Sequence, residues 1–489
     1  MVFSDLFFLY IFIPAVMLCY ALARCADHAY EEGMRGGRYA LPQNICPFSN
    51  AVLIVFSLIF YAWGEPVYIL LMLASVLMNY IVGRCIGGGK KRSKTALVVG
   101  VILNIAAIGV FKYADLFVGT LSFFGLPLNK PGIALPIGIS FYTFQSISYI
   151  ADVYRGEVAP QKNFASLLLY ISMFPQLIAG PIVRYSTISA EINRRSISFA
   201  DISEGSFRFL VGLGKKVILA NELSEISSEF LDGSLSSLTT GGAWLGILAY
   251  TFQIYFDFSG YSDMAIGMGR CLGFHFDENF NYPYISCTIT EFWRRWHISL
   301  GSFFRDYVYI PLGGNRRHQI LNILVVWFLT GLWHGASWNF ALWGLYFGVI
   351  ITFEKYTILK MRDRIPQFLL HIYSLFLIVF GWVIFYFDDM TRLGGFIKVL
   401  FGFGTAGGWD LVTQNELFGN VWLIAAAVVC SLPIGRFIRN TYDNSSRMES
   451  AAAEVTMTML KIVGAAAILV VSTLLLIGST TNPFLYLRF

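Results

Sequence analysis

Residues Asn279 to Asn315 read NFNYPYISCTITEFWRRWHISLGSFFRDYVYIPLGGN, and the chain then passes a short basic turn and an apolar run ending in GLWHG at Gly331–Gly335. Two histidines, His297 and His334, stand 37 residues apart in this stretch. Arg294, Arg295, Arg305 and Asp306 lie around them, with Trp293, Trp296, Trp327 and Trp333. The surrounding chain is 56% hydrophobic and only 13% charged, against about 25% charged in soluble domains. That deficit predicts an all-α polytopic membrane protein. About 11 spans fit, at roughly 20 residues per crossing, together with broken helices. Ionisable side chains at membrane depth are costly, so those that persist usually line a cavity and serve a function.

The net charge of +5 comes without a long Lys/Arg block, which excludes nucleic-acid binding and fits basic loops beside an anionic leaflet. Seven cysteines without CxxC or Cys/His spacing indicate neither a disulfide framework nor a metal site. Leu6–Ala23 follows Asp5 instead of a basic segment and lacks a small-x-small cleavage site, so it reads as a retained membrane helix.

Ala51–Trp63 and Val67–Val82 form a hairpin closed by Gly64-Glu65-Pro66. The GGGKKRSK turn (Gly87–Lys94) is then cytoplasmic by the positive-inside rule, which puts the Arg24–Arg38, Lys355–Arg364 and Arg436–Arg447 loops inside and the N-terminus outside. Thr95–Phe111 spans again. Pro136–Tyr154 and Met173–Val183 are apolar but interrupted by Pro, Gly, Ser and Gln, and read as kinked or re-entrant pieces that protein must shield. Phe207–Ile226, carrying Lys215 and Lys216, reads as an interfacial or solvated helix. Further spans fall near Ala243–Phe256, Ile320–Trp333, Trp338–Thr352, Gln367–Phe387, Val421–Leu432 and Leu460–Ile477, before the tail NPFLYLRF. No internal repeat is visible, unlike many transporters.

Within the central stretch, Phe292, Trp296, Leu300, Phe303 and Tyr307 follow helical spacing and predict one helix over Phe292–Tyr307 with an apolar face. Arg294, His297, Gly301 and Arg305 make a second stripe beside it, suited to a phosphate, pyrophosphate or carboxylate group. A surface helix with snorkelling arginines gives the same pattern. His334 ends an apolar run and precedes Gly335-Ala336-Ser337, small residues that would leave room near the ring. A neutral buried imidazole beside open space can act as a general base. A core histidine bonded across helices is the alternative. Asp257, Ser259, Tyr261 and Asp263 close a span; an acid there could orient an imidazole or hold a cation, or merely cap a helix. Pro311–Asn315 is a turn, and its glycines match no phosphate-binding loop.

Three segments, FDFSGYSDMAIGMGRCLGF (Phe256–Phe274), Asn279–Arg316 and LTGLWHGASWNFALWGLYFG (Leu329–Gly348), resemble the bacterial branch of the membrane-bound O-acyltransferases. Ala134–Gly156, Phe174–Arg184 and Gly381–Phe387 also look like family segments, whereas Arg184–Leu231 and Gly404–Asn420 match little. The resemblance implies a single domain over 1–489: N-terminal helices over 1–130, a catalytic core over 131–355 and C-terminal helices over 356–489. It implies a ring of helices around re-entrant ones, where a cytoplasmic tunnel meets an outward funnel. His334 takes the position of the family's principal catalytic histidine and His297 that of its second.

By the same resemblance the protein moves an acyl group, most often acetyl, from a cytoplasmic thioester such as acetyl-CoA to hydroxyls of an exported polysaccharide. Alginate-like polymers and peptidoglycan are the expected acceptors, often reached with an exported SGNH-type acetyltransferase as partner. No bound cofactor is implied. Membrane lipids, the donor and the acceptor are the other partners, and the cell membrane is the expected location. Trp293, Arg294, Arg295, Trp296, Arg305, Asp306, Asp257, Ser259 and Trp333 are the candidate donor- or substrate-binding residues. A transporter or flippase using the cationic stripe, and D-alanyl transfer to teichoic acid, are the competing readings.

Overall fold

The computed structural model describes residues 2–35, 45–88, 92–126, 128–178, 180–437 and 451–478. Among these residues the secondary structure is helical, and a lone bridge between Ile45 and Arg194 is the one β pairing. Among the described residues, seven helices are long and apolar enough to cross a bilayer: Phe8–Glu32, Pro47–Gly64, Ile69–Gly87, Lys94–Phe123, Trp338–Lys360, Gln367–Tyr386 and Val455–Gly478. Gln319–His334 and Val421–Ser431 are shorter apolar helices. Residues 89–91 of the basic turn, 36–38 of the first loop, 438–447 of the last and the tail from 482 lie outside the described residues.

The chain divides into two compact units, Met1–Phe209 with Tyr261–Asp277, and Leu210–Gly260 with Glu278–Phe489. The first contains α1 (Ile13–Arg35), α2 (Pro47–Gly64), α3 (Ile69–Gly87), α4 (Lys94–Phe123) and α5 (Ile139–Arg155). The short α6 (Phe164–Ser172), α7 (Phe174–Leu177) and α8 (Tyr185–Asn193) follow, then most of α9 (Phe199–Gly214). The loop expected from Arg24 is helical as far as Arg35, because Asp27 is needed on α1: its carboxylate accepts from Phe48 N (2.8 Å) and Ser49 N (3.2 Å) at the start of α2. Pro136–Tyr154 is a regular helix once past Gly138, whose φ of 76° turns the chain into α5. The FPQLIAGPIV piece does break, into the four-residue α7. In α3 and α4, Asn79 and Asn104 exchange amide hydrogen bonds of 3.1 and 2.8 Å, tying two apolar helices together.

The second unit begins with the end of α9, from Leu210, and a π-helical turn, Lys215–Asn221, then continues into α10 (Glu222–Leu231). Next comes α11 (Thr240–Cys271), which belongs to this unit up to Gly260. Lys216 is buried, not interfacial: its apolar neighbours Val217, Leu219 and Ala220 enter the core, and its ammonium pairs with Asp257. The rest of the unit comprises α12 (Ile289–Arg295), α13 (Ile298–Phe304), α14 (Gln319–His334), α15 (Trp338–Tyr356), α16 (Gln367–Tyr386), α17 (Met390–Leu400), α18 (Leu411–Gly419), α19 (Val421–Ser431) and α20 (Ala451–Gly478). Aromatic side chains, including Tyr255, Phe258, Tyr284, Phe292, Trp296, Trp343 and Trp382, fill its core.

Glycines set the crossing of α14 and α15. A Cβ on Gly331 would lie 2.1 Å from the Phe340 carbonyl oxygen, and one on Gly344 would lie 2.2 Å from that of Trp327. Small residues let the two backbones touch, as is common between membrane helices.

Candidate active site

The helix predicted over Phe292–Tyr307 is two short helices with a break. α12 ends at Arg295, Trp296 is extended, and His297 adopts the left-handed conformation (φ 46°, ψ 54°) before α13 begins. A π-helical turn, Arg305–Tyr309, replaces the end of the expected helix. Left-handed backbone at a residue other than glycine costs on the order of 1–3 kcal/mol and persists only where neighbours over-determine it.

Asn279 supplies that constraint. Its backbone oxygen accepts from Ile298 N (3.0 Å), while Asn281 N donates to Arg295 O (2.9 Å), so the loop returns alongside the break. The Asn279 Oδ1 accepts from Ser299 N (3.2 Å) and Ser299 Oγ (2.9 Å), and lies 3.1 Å from His297 Nδ1. An atom that accepts from a backbone N–H is the amide oxygen, so Nδ1 must carry the proton that points at it. Nε2 is then the accepting nitrogen of the ring. Neither Asn279 nor Ser299 was a sequence candidate. A loop residue 18 positions before the histidine has no periodic relation to it, so no signal in the sequence marked the pair.

Both imidazoles are buried, His297 with 2% and His334 with 6% of its surface exposed. One indole separates them. The ring of Trp333 lies 5.7 Å from that of His297 and 4.9 Å from that of His334, so the two imidazoles are within about 11 Å of each other. Phe258 meets His297 edge-on at 4.6 Å; Trp343 and Phe385 meet His334 at 5.0 and 5.3 Å. The space left by Gly335 after His334 is occupied by the Phe340 ring. A Cβ on Gly335 would fall 2.1 Å from the Phe340 ring, so the small residue there serves close packing.

Open space lies on the side of His297. A cavity of about 560 Å³ is lined by Trp293, Arg294, Trp296, His297, Gly301 and Arg305, among others, and by Thr330, one turn before His334 on α14. The stripe Arg294–His297–Gly301–Arg305 therefore does line one cavity, although two helices carry it. Arg294 is exposed and has no hydrogen-bond or ionic partner among the described residues. Arg305 is held by Asp306 through contacts of 2.6 and 3.0 Å. The indole N–H of Trp293 is buried with no hydrogen-bond partner among the described residues.

The other candidates lie elsewhere. Arg295 does not line the cavity; it binds Glu291 (3.1 and 3.0 Å) and the Asn281 carbonyl (3.1 Å). Asp257 meets the Lys216 ammonium at 2.6 Å. The Ser259 hydroxyl is buried without a hydrogen-bond partner among the described residues. Trp333 and His334 border the cavity's neighbours and not the cavity itself.

Two buried imidazoles around one indole, one of them on a polar-mouthed cavity, suit acyl transfer. The family model for membrane-bound O-acyltransferases matches residues 161–394. A protein of Pseudomonas aeruginosa named a probable alginate O-acetylase is 40% identical over 85% of this chain and 77% of its own length. The chain belongs to the membrane-bound O-acyltransferase family. A peptidoglycan O-acetyltransferase of Helicobacter pylori is 32% identical over 90% of this chain and 92% of its own. A teichoic acid D-alanyltransferase of Bacillus subtilis is 30% identical over 45% and 60% respectively. This O-acyltransferase is thus a multi-pass membrane protein. The family match runs through Arg184–Leu231, where motifs alone found little to align.

Proposed function

We propose that this O-acyltransferase carries acetyl groups from a cytoplasmic thioester, acetyl-CoA, to hydroxyls of an exported polysaccharide of the alginate or peptidoglycan kind. The reading rests on one observation: His297 and His334 are buried against the same indole, and a cavity reaches His297. The names of the relatives that match most of this chain supply the acceptor class.

His334 is the general base. It takes the proton of the acceptor hydroxyl as the oxygen attacks the thioester carbonyl; the C–S bond breaks and the thiolate leaves, to be protonated in turn. The same proton transfer primes the nucleophilic serine of an exported SGNH-type partner where one relays the acetyl group. His297, held by Asn279, presents Nε2 to the donor side, and Arg294 meets a phosphate of the donor at the cavity mouth. The protein sits in the cytoplasmic membrane with its N-terminus outside, which places the basic turns on the donor side.

A positioned general base contributes on the order of 10² to 10⁴ in rate. His334→Ala and His334→Gln should therefore abolish acetylation of exported polysaccharide, measured by mass analysis, in cells whose membranes hold the parental amount of protein. Normal acetylation in such a strain refutes the role. Purified protein that moves substrate between leaflets without consuming acetyl-CoA would point to a flippase instead.

A further inference from the structure

Glu354 lies near the C-terminal end of α15 with 0% of its surface exposed. No ion pair holds it among the described residues, yet its carboxylate is fully engaged. Oε1 accepts from Ile289 N (2.6 Å), and Oε2 from Thr290 N (2.7 Å) and Thr290 Oγ (2.6 Å). Ile289 and Thr290 are the first two residues of α12, and the third N–H, that of Glu291, is taken by Thr288 Oγ at 3.1 Å. Glu354 and Thr288 together thus satisfy the first three N–H groups of α12.

α12 has only seven residues. A helix that short is not stable alone in water or lipid, so its place depends on what holds its ends. Its far end is the Trp296–His297 break, and its body supplies Trp293 and Arg294 to the cavity wall. Thr290 and Ile351, one turn before Glu354, line the same cavity. A buried charge at the start of α12 therefore fixes the element that ends at His297.

We infer that Glu354 is a positioning residue for acyl transfer. It anchors α12 to α15 so that the cavity wall and the His297 imidazole keep their places. The inference rests on the acyltransfer reading above. A misplacement of about 1 Å at a reacting group can cost on the order of 10²-fold in rate.

The test uses the full chain in proteoliposomes, with acetyl-CoA as donor and an alginate oligosaccharide as acceptor, rates being normalised to monodisperse protein. Glu354→Gln keeps the side-chain shape but turns an amide N–H₂ toward backbone donors; kcat should fall at least tenfold. Thr290→Val should fall less, Thr290→Ser, which keeps the hydroxyl, should retain more activity than Thr290→Val, and the Glu354→Gln/Thr290→Val pair should be no slower than Glu354→Gln alone. A residue that merely supports the fold would lower yield and leave kcat per folded molecule at the parental value, and that result overturns the inference. If Glu354→Gln does not fold, Thr290→Val decides: parental kcat overturns, reduced kcat supports. Failure of the underlying reading looks different, because then the parent itself transfers nothing or His334→Ala is as fast as the parent.

Discussion

The Lys216 ammonium lies 2.6 Å from the Asp257 carboxylate, and neither side chain exposes more than 3% of its surface. Lys216 sits in the π-helical turn that precedes α10, and Asp257 on α11 stands next to Phe258, the ring that meets His297 edge-on. The backbones approach closely here: a Cβ on Gly260 would lie 2.7 Å from the Gly212 carbonyl oxygen and 3.1 Å from Lys216 N. An ion pair, a π-turn and a glycine contact thus fix α11 beside His297. π-turns of this kind recur at functional sites.

Breaking such a pair should hurt more than removing it. Lys216→Met leaves a buried carboxylate, at a cost of about 3–5 kcal/mol, whereas replacing both partners by apolar residues is often close to neutral. Lys216→Met and Asp257→Leu should each cut the yield of monodisperse protein after heating in detergent, and the double variant should recover most of it. Single variants as heat-resistant as the parent would show that the two charges do not act as a unit.

Asn279 is predicted to matter to activity more than to folding. Asn279→Ala removes the acceptor that holds His297 Nδ1 and both Ser299 donors. Loss of the ring's orientation should lower acetyl transfer by on the order of 10²-fold, with membrane insertion retained. Asn279→Asp keeps an oxygen in place and should retain more activity than Asn279→Ala. Equal activities for the parent and Asn279→Ala, measured on exported polysaccharide, would remove Asn279 from the site.

Composition and hydropathy made the all-α membrane class and most long helices legible, because a span announces itself by length and apolarity alone. His297 and His334 stood out in the sequence as two of six histidines in one polar membrane-associated stretch, and the fold sets both beside Trp333. What escaped is what depends on neighbours distant in sequence. Spacing predicted an unbroken helix over Phe292–Tyr307, since periodicity reports which residues share a face and not whether the backbone turns between Arg295 and Ile298. Lys216 looked interfacial because charge alone suggests water; its partner lies 41 positions away. Glu354 falls between the span expected over Trp338–Thr352 and the basic loop expected over Lys355–Arg364, and nothing in the sequence marks it; its place shows only in α12, which starts on its carboxylate.

The small residue after His334 offers a sharp packing test. A methyl on Gly335 would meet the Phe340 ring at 2.1 and 2.3 Å, and overpacking of this kind typically costs about 1–3 kcal/mol. Phe340 also packs on Phe385, which flanks His334. Gly335→Ala should lower the temperature at which the protein leaves the monodisperse state, and the paired Gly335→Ala/Phe340→Leu variant should regain part of the loss. A Gly335→Ala protein with parental heat resistance would mean that the ring moves aside freely.

The same chemical change at Gly301 should do the opposite. Gly301 is on α13 and lines the cavity; the nearest heavy atom a Cβ would meet is the Trp293 carbonyl oxygen at 3.8 Å, an ordinary contact. Alanine there gains helix propensity of up to about 1 kcal/mol over glycine without a clash, so Gly301→Ala should be at least as heat-resistant as the parent. Gly301→Leu adds three more carbons that have nowhere to go but the cavity. If the donor reaches His297 through that space, Gly301→Leu should raise the KM for acetyl-CoA or lower kcat by tenfold or more in well-folded protein, with Gly301→Ala in between. Because neither variant touches an imidazole, the effect would report on access alone. Parental kinetics with Gly301→Leu would mean that the thioester approaches His297 from another side.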